Sequence, residues 1–159
     1  MSDVWLRPAR STDAGKIGDM MTQTVRAHRW KPRLYTGAQD IAHAGEMIDR
    51  GWVTVLVRGD IVSGFIALED GYIHGLFLRD DAQGAGLGVV LLNHAKELHE
   101  TLDLWAFQSN RRARKFYERE GFVEIERGIG KTNDEGLSDI HYRWTRPKAP
   151  PQPPAKDQA

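Results

Sequence analysis

The chain has 159 residues, with 22 Lys and Arg against 22 Asp and Glu, six His and no Cys. That length suits one domain, the balanced charge lacks the basic surplus of a nucleic-acid module, and the missing cysteines exclude disulfides, thiolate zinc sites, iron–sulfur clusters and a cysteine nucleophile. No apolar run approaches the ~18 residues of a membrane span, and Met1–Arg10 lacks the apolar stretch of a secretory signal, so a cytoplasmic protein without membrane partners is expected.

Val4–Arg7 reads as a short strand. Ser11, Thr12 and Asp13 follow as candidate caps of a helix that carries Ile17, Met20, Met21 and Thr24 at helical spacing. A second helix is predicted over Gly37–Arg50, with Ile41, Ala44, Met47 and Ile48 on one face. Trp52–Arg58 and Ile61–Glu69 form a hairpin about Gly59-Asp60, and Asp70-Gly71 turns into a third strand, Tyr72–Leu78. These three make a meander. Gly86–Glu100 is helical, its stripe of Leu87, Leu91, Ala95 and Leu98 running on to Leu102, and Leu104–Phe107 is a short strand. Asn110–Glu120 is a helix with Ala113, Phe116 and Tyr117 on one face and Gly121 just past its end. Phe122–Ile129 and Leu137–Trp144 alternate like strands around the polar loop Gly130–Gly136.

Five of the seven prolines lie between Pro147 and Pro154, in a stretch that buries too little to offset its ordering entropy. The folded domain is therefore expected over 1–146, with 147–159 a disordered proline-rich tail. The order β-α-α-β-β-β-α-β-α-β-β predicts a mixed α/β domain, an antiparallel meander preceding a βαβ-like crossover.

The segment Gln83-Gly84-Ala85-Gly86-Leu87-Gly88 stands between a strand and a helix. Its glycines let the backbone approach a ligand closely and aim several N–H groups at one point. The helix behind it adds its free N-terminal amides, so a phosphate or pyrophosphate is the natural occupant. The plainer alternative is a turn that merely opens a helix. A dinucleotide fingerprint needs a third glycine where Val89 stands, and a Walker loop needs Lys and Ser or Thr where Val89 and Val90 follow Gly88. Neither NAD(P) nor ATP is supported.

Two motifs together resemble the GNAT superfamily of acetyl-CoA-dependent N-acetyltransferases. Gln83-x-x-Gly86-x-Gly88 matches its Gln/Arg-x-x-Gly-x-Gly/Ala signature, and Asn110-x-x-Ala113-x-x-Phe116-Tyr117-x-x-x-Gly121-Phe122 matches its second hallmark; Leu6-Arg7-Pro8-Ala9 is similar to its usual opening. The resemblance implies a mostly antiparallel sheet with a splayed central strand pair and helices on both faces. It implies that Gln83, Gly84, Ala85, Gly86, Leu87 and Gly88 hold the coenzyme A pyrophosphate, while the backbone of Leu76, Phe77 and Leu78 pairs with the pantetheine arm.

On the same resemblance, Tyr117 is the general acid for the departing thiolate, against a plain reading as a core aromatic. Asn110 is a helix cap that also borders the cofactor, and Arg112 or Lys115 neutralises the 3′-phosphate. His74 is the candidate general base. The acceptor, a small-molecule or peptide amine, would lie between Val25–Tyr35 and Lys131–Asp139, where Trp30 and Tyr35 could form walls and Asp134, Glu135 and Asp139 could draw an ammonium. No metal is expected, because His94 and His99 miss the spacing for shared ligation. No nucleic-acid partner is expected, and homodimers are common among such proteins. The rival reading is a non-catalytic acyl-CoA-binding sensor with the same fold.

Overall fold

The chain runs β1 (Val4–Pro8), α1 (Ala14–Ala27), α2 (Gly37–Asp49), β2 (Val53–Arg58), β3 (Ile61–Glu69), β4 (Tyr72–Leu78), α3 (Leu87–Leu98), β5 (Thr101–Phe107), α4 (Arg111–Arg119), β6 (Val123–Gly128) and β7 (Asp139–Thr145), with 3-10 turns at Ser11–Asp13 and Asp80–Ala82. The structure, a computed structural model, describes residues 3–28, 30–131 and 133–148. The expected proline-rich tail lies outside the described residues from position 149 onward.

The strands form one sheet in the order β1-β2-β3-β4-β5-β7-β6. Its placement follows from burial. β3 is buried continuously from Val62 to Ala67, as a central strand covered on both faces must be. β6 is exposed along nearly its whole length and takes an edge. On one face α1 and α2 bury Ile17, Met20, Ala44 and Met47 against Val55 and Phe65. On the other, Leu91, Leu92 and Ala95 of α3 and Tyr117 of α4 meet Leu56, Ile66, Leu102, Ile140 and Tyr142. Each large apolar side chain buried in this way contributes about 1.5–3 kcal/mol.

The pairing that shapes the molecule is the weakest one. β4 is antiparallel to β3 along its length, but parallel to β5 through a single registered pair, Tyr72 with Asp103. The Asp103 amide donates to the Gly71 carbonyl (2.8 Å), and any side chain at Gly71 would strike the Thr101 carbonyl. This closes one end of the β4–β5 seam. Beyond it the strands diverge, which leaves the β5-facing edge of Leu76–Leu78 without a ladder partner among the described residues.

Several expectations need correction. Ser11, Thr12 and Asp13 do not cap α1 through their side chains: the Asp13 carboxylate turns back to the Arg10 amide (2.7 Å) and to Arg7 (2.8 and 3.1 Å), which holds its pKa below the usual carboxylate value. Ile41 is 41% exposed, and Leu98 is 60% exposed because α3 ends there and Leu102 already belongs to β5. Leu92 takes the inward place instead. β5 begins at Thr101, three residues earlier than the apolar run suggested, since Thr101 and Asp103 register with Thr145 and Arg143 of β7.

Candidate active site

The glycine segment lies between the open end of β4 and α3. Gly84 and Gly86 both take positive φ (80° and 76°), where a side chain is strained, and no described residue lies within 4 Å of a Cβ built on either. Gly86 is the N-cap of α3 and provides no side-chain cap, so the first amides of the helix, which have no intrahelical acceptor, are left without a side-chain cap from it. This is an open cradle of donors at the positive end of a helix. Gly88 has a different task. It is buried, and an added methyl would meet the Phe116 ring at 3.3 Å, so it lets α3 and α4 approach.

Across the seam, α4 begins at Asn110, whose Oδ1 accepts from the Ala113 amide (3.2 Å). The helix ends in a Schellman motif: the Phe122 amide donates to the Tyr117 carbonyl (2.9 Å), the Gly121 amide to the Glu118 carbonyl (3.2 Å), and Gly121 takes φ 96°. Between these ends α4 presents Arg112, Lys115 and Tyr117. The Arg112 guanidinium donates to Gln83 Oε1 (2.8 Å) and so spans from α4 to the glycine segment. Lys115 is exposed on the same helix.

Tyr117 is buried, its ring set edge-on to Phe116 and Phe122 at 5.1 and 5.3 Å. Burial pushes its phenol well above the ordinary tyrosine pKa, so it stays protonated throughout the neutral range. The hydroxyl makes no hydrogen bond to a described residue. Among those residues the one sealed side-chain polar atom without a partner is Asp139 Oδ1, so the unpaired Tyr117 hydroxyl retains access to solvent.

His74 stands on the opposite face of the sheet. The register of β4 against β3 slips at this point, with Ala67 opposite Gly75 but Leu68 opposite Ile73. The slip leaves Leu76 and Leu78 packed toward α3, and Phe77 and His74 toward the α1 and α2 face. The His74 ring stacks on Trp52 (4.5 Å, 6°), meets Tyr72 edge-on (4.8 Å), and its Nε2 lies 2.9 Å from Glu69 Oε1. Because a carboxylate only accepts, Nε2 carries the proton and Nδ1 is the basic nitrogen of the neutral ring.

The two expected acceptor segments do meet, apart from Arg29 and Thr132, which lie outside the described residues. The Tyr35 hydroxyl donates to Asp134 Oδ2 (2.6 Å), and Trp30 sets its edge against Phe107 at the far end of β5 (5.6 Å). Asp139 departs from expectation. It is only 6% exposed, its Oδ2 accepts from Asn133 (3.1 Å), and its Oδ1 fills the space that a side chain at Gly128 would need. It anchors the β6–β7 loop and does not reach toward a ligand. Two further groups on this face carry no local sequence signal. Asp103 accepts from His141 Nε2 (3.1 Å) and Arg143 Nε (2.8 Å), an arrangement set by the β5–β7 register alone. Lys31 lies half-buried over Phe107.

Residues 33–146 match the sequence model of the acetyltransferase (GNAT) domain family. The chain belongs to the GNAT family. It is 35% identical over 71 residues to the peptidyl-lysine N-acetyltransferase YjaB of Escherichia coli (strain K12), a match covering 45% of this chain and 48% of that protein, so about half the relative's length is spanned. The solution structure of apo-form YjaB superposes with a TM-score of 0.77 at 20% identity, covering 91% of this chain and 99% of that one. The structure of yncA from Salmonella typhimurium with its cofactor acetyl-CoA gives 0.71 at 17% identity, over 97% and 100%. These likenesses show that the seven-stranded, mostly antiparallel sheet is the GNAT fold. The glycine segment, the splayed seam and α4 all fall within the matched residues, while β1 and α1 precede them.

Proposed function

We propose that this GNAT chain transfers the acetyl group of acetyl-CoA to a peptide amine, with a lysine side chain as the principal acceptor. The supporting observation is the conjunction at the open end of the β4–β5 seam: uncapped amides at the N-terminus of α3 on one side, the unpaired Tyr117 hydroxyl of α4 on the other. The residues present fit the coenzyme. Its bound form supplies an activated thioester.

In this reading Gln83, Gly84, Ala85, Gly86, Leu87 and Gly88 hold the pyrophosphate, Gly88 chiefly by keeping α4 close. The free backbone edge of Leu76, Phe77 and Leu78 pairs with the pantetheine arm as an added strand would. Lys115 neutralises the 3′-phosphate, and Arg112 exchanges Gln83 for a phosphate oxygen, a stronger charge-assisted partner. Asn110 fixes the start of α4 beside the arm. The acceptor enters over the face that carries His74, where Nδ1 of the ring, oriented by Glu69, takes the amine proton. Tyr117 donates to the departing sulfur from the opposite side.

The lysine preference draws on the naming of the YjaB relative as a peptidyl-lysine N-acetyltransferase. Among the described residues no helix is long and apolar enough to cross a membrane, and action in the cytoplasm is part of the proposal. Two peptides decide the acceptor: one with a blocked N-terminus and one lysine, the other with a free N-terminus and no lysine. Steady-state release of coenzyme A should be at least tenfold faster with the first. Faster release with the second would move the assignment to N-termini. Binding of acetyl-CoA with no turnover on either peptide or on small amines would favour the sensor reading.

A further inference from the structure

Lys31 belongs to the segment joining α1 to α2, and its described residues are held against the end of β5 and the loop between β6 and β7. The Lys31 amide donates to the His28 carbonyl (3.1 Å), Trp30 leans on Phe107, and Tyr35 reaches Asp134. The Lys31 ammonium is half-buried and lies 5.6 Å from the centre of the Phe107 ring. Phe107 ends β5, on the part of the strand that has diverged from β4. The lysine thus sits beside the end of β5 that has diverged from β4.

Burial acts on Lys31 more strongly than the opposing carboxylates of Glu135 and Asp40, and draws its pKa below the ordinary lysine value. An exposed lysine with a pKa of about 10.4 is almost wholly charged at neutral pH, and the lowered pKa leaves more of Lys31 as the neutral, nucleophilic amine. Lys96, by contrast, is occupied, its Nζ donating to the Glu120 carbonyl (2.7 Å).

We propose that Lys31 is a self-acetylation site, taking the acetyl group of acetyl-CoA bound in the cleft of the same chain. The inference rests on the reading of that cleft as the acetyl-CoA site. The lone pair of neutral Lys31 Nζ forms a C–N bond with the thioester carbonyl carbon as the C–S bond breaks. The proton lost from nitrogen is balanced by the one gained at sulfur, giving an amide and free coenzyme A. Acetylation removes the charge over Phe107 and lengthens a side chain of the expected acceptor segment Val25–Tyr35, so it would also restrain turnover.

The full chain is incubated with acetyl-CoA, and the acetyl content of each lysine peptide is followed by mass spectrometry. Lys31 should be modified at least tenfold faster than exposed Lys16 and Lys131, at a rate per chain independent of protein concentration. Urea should abolish the preference. A second readout needs no coenzyme: competitive labelling with N-hydroxysuccinimidyl acetate across pH should give Lys31 a midpoint below that of Lys16. The Lys31→Arg chain should keep acetyl-CoA binding and lose the fast site. Stabilisation by acetyl-CoA without preferential Lys31 labelling overturns this inference alone, and so does a rate that rises with protein concentration. No stabilisation by acetyl-CoA overturns the cofactor reading and this inference with it.

Discussion

Gly86→Val should leave a folded chain whose affinity for acetyl-CoA has fallen at least a hundredfold. Gly86 holds φ 76° as the N-cap of α3, and left-handed backbone costs an L residue about 1–2 kcal/mol, most for a β-branched one. The chain relieves that strain by rotating the peptide that aims the Leu87 and Gly88 amides, and the cradle is lost. No described residue packs within 4 Å of the added Cβ, so the fold itself is spared. Gly51→Val is the matched control. Gly51 has φ 77° with equally open surroundings, in the turn between α2 and β2 away from the cradle. Both variants should lose similar stability, but only Gly86→Val should lose binding in a calorimetric titration. Equal binding by the two variants would reduce the glycine segment to a turn that starts a helix.

Tyr117→Phe should lower kcat by about 10²–10⁴, the usual contribution of a positioned general acid, with acetyl-CoA affinity changed less than threefold. The substitution removes a hydroxyl that makes no hydrogen bond to a described residue and keeps the ring between Phe116 and Phe122. Stability should therefore hardly move. Tyr117→Ala, which empties a buried site, should cost about 3–5 kcal/mol. Loss of turnover with retained fold and binding assigns the proton to Tyr117. An unchanged kcat in Tyr117→Phe would make the residue a core aromatic and leave the leaving sulfur to solvent.

The parts of this account legible in the sequence are those governed by neighbours in the chain. β3 and β4 begin and end where the two-residue turns and alternation place them. Asn110 and Gly121 mark the ends of α4 because capping is chemistry within a few residues. The glycine segment and the Asn110–Phe122 run identified the family for the same reason. What could not be read depends on partners distant in the chain. Nothing near Asp103 announces that it is the single residue pairing with Tyr72, yet that pair decides where the seam closes. Gly88 reads as a phosphate-loop glycine, and nothing near it in the chain announces that Phe116 of α4 also packs against it. Asp139 reads as an acid free to draw an ammonium, but Asn133 and Gly128 enclose it, and no residue beside Lys31 in the chain announces Phe107 as its neighbour. His74 lies on a register slip, where alternation fails to tell which way a side chain points.

Thermal unfolding of the unmodified chain with saturating acetyl-CoA, with ATP and NAD as parallel controls, shows whether the cleft between α3 and α4 takes the coenzyme. A ligand at a hundred times its Kd stabilises by about 2.7 kcal/mol, which for a chain of this length raises the midpoint by about 5–10 °C. That shift is expected with acetyl-CoA alone. An unchanged midpoint at millimolar acetyl-CoA, or an equal shift with ATP or NAD, would contradict the assignment of the cleft to the coenzyme.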